Sequence, residues 1–299
     1  MRMNDIGNYI KLLRLRQWIK NSFILIPAIF AYDKLDAKTA VNLAATLMAF
    51  CLFSSAVYAV NDIFDAEKDR LHPRKKFRPI AAGKISVRDA CVFAVAIFCV
   101  ALSFACFANR KVLFIGIIYV LLNAAYSWRL KHIALVDVFG IAGGFILRVY
   151  AGGAAMNVGI SPWLMLNTLF LSLFLAFGKR YSELIASSRE PEKHRSVLSV
   201  YTPEMLIFFL VSSCAMTLVC YSLYTIDPNT IRAMRSTNLI YTVPLAAYGL
   251  FRYVLILFQQ GEDRDIAEVI LSDWSLLSVA LLWFAVVVAT AVHGFIGSV

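Results

Sequence analysis

Long apolar runs separated by short polar connections dominate the chain. Nine runs stand out, at residues 19–34, 39–60, 87–107, 112–126, 135–155, 163–177, 204–225, 239–258 and 274–296. Most have the length that a helix needs to cross the hydrocarbon core of a bilayer. The pattern predicts an all-α, polytopic membrane protein with nine transmembrane helices. They form one domain over residues 1–299, with 1–18 as an interfacial N-terminal helix. In that first helix Lys11, Arg14, Arg16 and Lys20 stand beside Leu12, Leu13, Leu15 and Trp18, the composition of an interfacial anchor. Lys20 and Asn21 sit where the first run begins, in a position to turn into a cavity.

Composition supports this reading. Hydrophobic residues make up 60% of the chain and charged residues 16%, too few charges for a soluble domain of this length. No cleavable signal peptide is expected, because the N-terminus is polar up to Gln17 and no small-residue cleavage site follows. Cys51, Cys91, Cys99, Cys106, Cys214 and Cys220 lie inside apolar runs with no Cys-x-x-Cys pair, and read as small core residues. Of 29 Lys and Arg residues, 21 fall in the N-terminal segment and the connections after even-numbered runs, against 6 on the other side. The positive-inside rule therefore puts the N-terminus and those connections in the cytoplasm, as for a bacterial inner (plasma) membrane protein.

The second run continues into the polar stretch Asn61–Pro79, where a carboxylate cluster is followed at once by cations. A helix turns about 100° per residue, so Asn61, Asp62, Asp65 and Asp69 share an arc of roughly 100°, with Glu67 on the opposite side. Carboxylates on one face repel unless a cation lies among them. A hard divalent ion with oxygen ligands, bridging to a substrate diphosphate, fits that need. The helix is expected to end at His72-Pro73, before a loop with Lys75, Lys76 and Arg78.

Two later cytoplasmic connections carry the remaining candidate chemistry. The first holds Tyr126 and Lys131, and the second Lys179, Arg180 and Glu183. The fifth run contains Asp137 and Arg148, eleven residues apart and so on one helix face. Charges at that depth face a bundle interior or a wet cavity. The glycines at 140, 143, 144, 152 and 153 suit close helix packing, since no strand precedes them to make a nucleotide-binding loop.

Asn61-Asp62-x-x-Asp65-x-x-x-Asp69 at the end of the second run resembles the first Asp-rich motif of the UbiA superfamily of intramembrane prenyltransferases. Four further stretches look like one branch of it, the decaprenyl-phosphate phosphoribosyltransferases. They are Arg16–Asn21, Asp69–Gly83, Tyr126-Ser127 with Leu130–His132, and Gly178–Leu184. The second Asp-rich motif of typical aromatic prenyltransferases is replaced here by Gly-Lys-Arg-Tyr-Ser-Glu, which suits a donor with additional phosphates.

The resemblance implies a UbiA-like bundle with cytoplasmic active-site loops and a Mg²⁺-dependent pentosyltransferase. The reaction moves a 5-phosphoribosyl group from phosphoribosyl pyrophosphate to a polyprenyl phosphate and releases pyrophosphate, feeding cell-wall arabinan precursor synthesis. The implied metal residues are Asn61, Asp62, Asp65 and Asp69, and the implied catalytic residues are Asp65, Lys131, Asp137 and Lys179. The implied substrate contacts are Lys20, Asn61, Lys75, Arg78, Tyr126, Lys131, Arg148, Lys179, Arg180 and Glu183. The partners are the two substrates and the bilayer, with no nucleic acid and with a homo-oligomer left open. The competing readings are a prenyltransferase acting on an aromatic ring and a transporter for an anionic solute. The transporter reading gives no reason for carboxylates of metal-binding type outside the bilayer, and no inverted hydropathy repeat supports it.

Overall fold

The computed structural model describes residues 3–71, 75–187, 196–260 and 272–296, and within them every regular element is a helix. Helix α1 (Met3–Leu13) ends at Arg14, and the chain continues as a 3₁₀ helix over Leu15–Leu25 and a short α2 (Ile26–Phe30). Next come α3 (Ala37–Phe64), α4 (Ala66–Leu71), α5 (Val87–Ala108), α6 (Arg110–Trp128), α7 (Val136–Met156) and α8 (Pro162–Ser187). The remainder is α9 (Pro203–Ile226), α10 (Pro228–Met234), α11 (Val243–Gln260) and α12 (Trp274–Ile296).

Among the described residues, eight helices are long and apolar enough to cross a membrane: α3, α5 to α9, α11 with the 3₁₀ turn before it, and α12. A helix satisfies its backbone groups within itself, which is what an apolar solvent demands. Polar starts fix several boundaries. Asp36 caps α3 in a reciprocal capping box with Thr39, Ser86 caps α5, and Thr202 caps α9. Helices α3 and α7 are the most enclosed, whereas α5, α6, α11 and α12 turn most of their surface outward. Val92, Phe107, Phe114, Leu121 and Leu281 belong to that exposed apolar girdle.

The expected first span, 19–34, differs from a regular membrane helix. It is a 3₁₀ helix, then five α-helical residues opened by Pro27, then a 3₁₀ turn over Tyr32–Lys34. Packing dictates this form. The segment lies against α3 and α7, and a Cβ on Gly152 would stand 2.0 Å from the Ile24 carbonyl oxygen. Asn21, fully buried, donates to Cys51 Sγ at 3.3 Å and Ser54 Oγ at 3.4 Å on α3. The cysteine expectation also needs correction. Cys51, Cys214 and Cys220 are buried, but Cys91, Cys99 and Cys106 lie on the exposed face of α5. None forms a disulfide.

Successive long helices alternate in direction through short connections. The C-terminal ends of α3, α6 and α8 therefore gather with the N-terminal ends of α5, α7 and α9. The two carboxylate clusters described next lie at that end.

Candidate functional site

Helix α3 breaks only locally at Asp65 (φ −90°, ψ 1°). Asp65 N still donates to Asn61 O at 2.9 Å and Asp69 N to Asp65 O at 2.8 Å, so the helical ladder crosses into α4. The expected single face is kept. Asp62 and Asp69 are buried, Asn61 and Asp65 partly so, and Glu67 points outward. His72-Pro73, the expected end of the helix, lies outside the described residues.

One arginine joins the two buried carboxylates. Arg78 Nη1 donates to Asp62 Oδ1 at 3.0 Å and to Asp69 Oδ2 at 2.6 Å. Its loop is held by a small core in which Ile80 and Ile85 pack with Leu12, Ala59, Ala66 and Ala90. Gly83 closes the loop at φ +69°, a conformation glycine adopts freely. A second arginine reaches Asp62 from the other side. Arg14 Nη2 ion-pairs with Asp62 Oδ1, and its guanidinium lies 5.0 Å from the Tyr58 ring centroid. Sequence reasoning left Arg14 as a membrane anchor, because a basic residue in an amphipathic helix carries no sign of its partner.

The donor set fits a hard divalent cation. The Asp62 and Asp69 oxygens converge on one atom, so they lie within two hydrogen-bond lengths of each other. One or two carboxylates, completed by substrate phosphate oxygens and water, is the set that Mg²⁺ prefers. The four expected ligands do not form a closed protein cage: among the described residues, no three Asp, Glu, His or Cys side chains converge on one metal position. The Asn61 and Asp65 side chains form no hydrogen bond or ion pair with described residues, which leaves them available beside the pair.

A second buried cluster joins α6, α7, α8 and the segment before α9. Arg180 Nε donates to Asp137 Oδ2 at 2.7 Å, Nη1 pairs with Glu183, and Nη2 donates to Tyr126 OH at 3.3 Å. Tyr201 OH donates to Asp137 Oδ1 at 3.0 Å and accepts from Leu135 N at 2.6 Å. Leu135 has φ 66°, unusual for a leucine, and the Tyr201 bond helps hold it at the start of α7. Burial pushes the Tyr201 phenol up to about 12, and the Asp137 carboxylate acts in the same direction. Tyr201 was not foreseen; a lone tyrosine between apolar runs has no pattern to expose it.

Arg148 lies deeper on α7. Its Nε donates to Asn21 Oδ1 at 2.7 Å, Nη1 to Gly144 O at 2.9 Å and Nη2 to Tyr119 OH at 2.8 Å, and it stacks on Tyr119 and Phe145. Asp137 and Arg148 share a helix face as expected, yet each bonds to neighbouring elements and not to the other. Most donors of Arg148, expected as a substrate contact, and of Arg180, expected as a phosphate contact, serve protein acceptors. Lys20, Lys75, Lys131 and Lys179 are partly exposed, and Lys20 adjoins Asn21, the partner of Arg148.

Beyond these clusters, an apolar cavity of about 420 Å³ runs between α2, α8, α9, α11 and α12. Phe174 and Tyr253 line its near end, and Phe30 and Tyr224 its far end.

Known proteins place this arrangement. A model of the UbiA prenyltransferase family matches residues 23–277. Decaprenyl-phosphate phosphoribosyltransferase of Corynebacterium glutamicum is 35% identical over 96% of this chain and 87% of its own length. The Mycobacterium tuberculosis protein of the same name is 33% identical over 97% and 96%. Among solved structures, a UbiA homolog from Archaeoglobus fulgidus bound to GPP and Mg²⁺ superposes with a TM-score of 0.73 at 20% identity, covering 95% of this chain and 99% of its own. The chain belongs to the UbiA prenyltransferase family.

Proposed function

We propose that this protein is a Mg²⁺-dependent transferase that moves a 5-phosphoribosyl group from phosphoribosyl pyrophosphate to a polyprenyl phosphate. The observation that carries the reading is the convergence of Asp62 and Asp69 beside surplus cations, at the end of an apolar bundle. The two relatives named for that activity support the choice of substrates.

In the reaction, an oxygen of the lipid phosphate forms a bond to the ribose anomeric carbon while the carbon–oxygen bond to pyrophosphate breaks. Positive character develops at that carbon and negative charge on the leaving group. The attacking phosphate is already an anion, so no strong general base is needed, and positioning with electrostatic stabilisation supplies the catalysis. The divalent cation, when bound by Asp62 and Asp69 with Asn61 and Asp65 beside them, neutralises charge on the leaving pyrophosphate.

Lys75, Arg78, Lys131 and Lys179 contact phosphate oxygens, and Lys20 receives the lipid phosphate or the donor. Arg180 and Asp137 act one step back: they hold Glu183 and Tyr126, which face the ribose hydroxyls. Arg148 fixes the 3₁₀ segment, and with it Lys20, through Asn21. The first part of the polyprenyl tail lies in the apolar cavity. The bias of Lys and Arg supports an orientation with the site on the cytoplasmic side of the membrane.

Purified protein given labelled phosphoribosyl pyrophosphate, Mg²⁺ and a polyprenyl phosphate should form a labelled lipid and free pyrophosphate. The reading fails if no labelled lipid forms with any polyprenyl phosphate. Consumption of a polyprenyl diphosphate in the presence of an aromatic acceptor would put the competing prenyltransferase reading in its place.

A further inference from the structure

Among the described residues, four charges pair at the end of α3. Asp62 and Asp69 supply two negative charges, and Arg14 and Arg78 supply two positive ones. The carboxylates are the inner layer, with side chains 3% and 5% exposed, and the guanidiniums the outer, at 24% and 27%. A cation that binds the carboxylates competes with the arginines for them, and once there it repels them.

Arg14 is held in place by more than its ion pair. Its backbone is left-handed, at φ 54° and ψ 50°, a conformation that suits glycine better than arginine. The carbonyl of Leu13 accepts from Ser55 Oγ at 2.7 Å, and Trp18 Nε1 donates to the same hydroxyl at 3.0 Å. This kink between α1 and the 3₁₀ segment aims the side chain at Asp62. Guanidinium forks match phosphate oxygens as well as carboxylates, so the same group can serve either anion.

We propose that Arg14 and Arg78 are the resting counter-ions of the Asp62–Asp69 pair, and that they transfer their guanidinium groups to the diphosphate as the carboxylates take up a divalent cation. The inference rests on the metal-bound diphosphate of the proposed function. It adds Arg14 as a positioning residue that competes with metal before substrate arrives and grips the diphosphate afterwards. Cation and diphosphate together disturb the charge at the site less than either alone, which favours their arriving together.

The test uses the full chain in detergent and the variant Arg14→Gly, whose glycine suits the φ 54° backbone and so preserves the kink. Mn²⁺ binding is followed by electron paramagnetic resonance without any phosphate, and inorganic pyrophosphate binding is then measured at saturating Mn²⁺. Arg14→Gly should bind Mn²⁺ about tenfold more tightly and pyrophosphate about tenfold more weakly, with Arg14→Lys between it and the wild type. Unchanged or weaker Mn²⁺ binding in Arg14→Gly overturns the competition, and unchanged pyrophosphate binding overturns the transfer. Neither measurement uses the ribose donor or the lipid. Opposed shifts in a chain that makes no phosphoribosyl lipid would therefore remove the assigned reaction and leave the exchange standing. A wild-type chain that binds no Mn²⁺ even with pyrophosphate present overturns both.

Discussion

Asp137 and Arg180 hold each other inside the second cluster, Nε donating to Oδ2 at 2.7 Å with both side chains all but closed to solvent. A buried pair of this kind is costly to break from one side, because the survivor keeps its charge without a partner. Asp137→Ala should lower stability by about 3–5 kcal/mol, measured by thermal unfolding in detergent. A double replacement, Asp137→Leu with Arg180→Met, should recover much of that loss but not activity. The ion pair serves to place Glu183 and Tyr126, which apolar packing cannot do.

Tyr201 gives the same cluster a limit on its alkaline side. Its phenol donates to Asp137 and accepts from Leu135 N, so Tyr201→Phe strands a backbone N–H and should cost about 1–3 kcal/mol. The folded value is raised from 10.0 to about 12. Below the ordinary value the phenol is protonated in both states, and its contribution is fully present. Between pH 10 and about 12 the unfolded chain releases the proton first, so stability falls as pH rises. Over that window wild-type stability should fall more steeply than that of Tyr201→Phe, as followed by denaturant unfolding at stepped pH.

The sequence exposed what local pattern encodes. Eight long apolar helices and the shared face of Asp62 and Asp69 follow from periodicities of a single helix. The segment 19–34 was read as a regular span because hydropathy registers transfer into lipid and not backbone geometry. Its 3₁₀ form depends on Gly152 and on Arg148 meeting Asn21 from a helix more than a hundred residues away. Arg14 was passed over for a related reason: its role follows from a kink held by Ser55, and no one-helix periodicity describes a kink.

Gly152 tests that account of the first segment. An added Cβ would meet backbone, the Ile24 carbonyl at 2.0 Å, and backbone cannot rotate away as a flexible side chain can. Gly152→Ala should cost about 3 kcal/mol, at the upper end of ordinary overpacking, and should weaken substrate binding by moving Lys20. Gly7→Ala is the control: nothing lies within 4 Å of its added Cβ, so stability should be unchanged or slightly higher. Equal unfolding temperatures for the two variants would refute the close packing.

The carboxylates of the first cluster should separate into two classes when stability and turnover are measured side by side. Asp62 and Asp69 are buried and neutralise arginines. Asp62→Ala or Asp69→Ala leaves a guanidinium short of a partner and should cost about 1–3 kcal/mol as well as activity. The Asp65 side chain is partly exposed and bonds to no described residue, so Asp65→Ala removes no folding interaction of that kind. It should unfold at the wild-type temperature yet lose about a hundredfold or more in turnover, since its oxygen is free to join the cation and diphosphate. A chelator should likewise abolish wild-type turnover without unfolding the chain, because the arginines stand in for the cation at Asp62 and Asp69. Undiminished turnover in Asp65→Ala would remove Asp65 from the metal site, whereas a stability loss equal to that of Asp62→Ala would make its role structural.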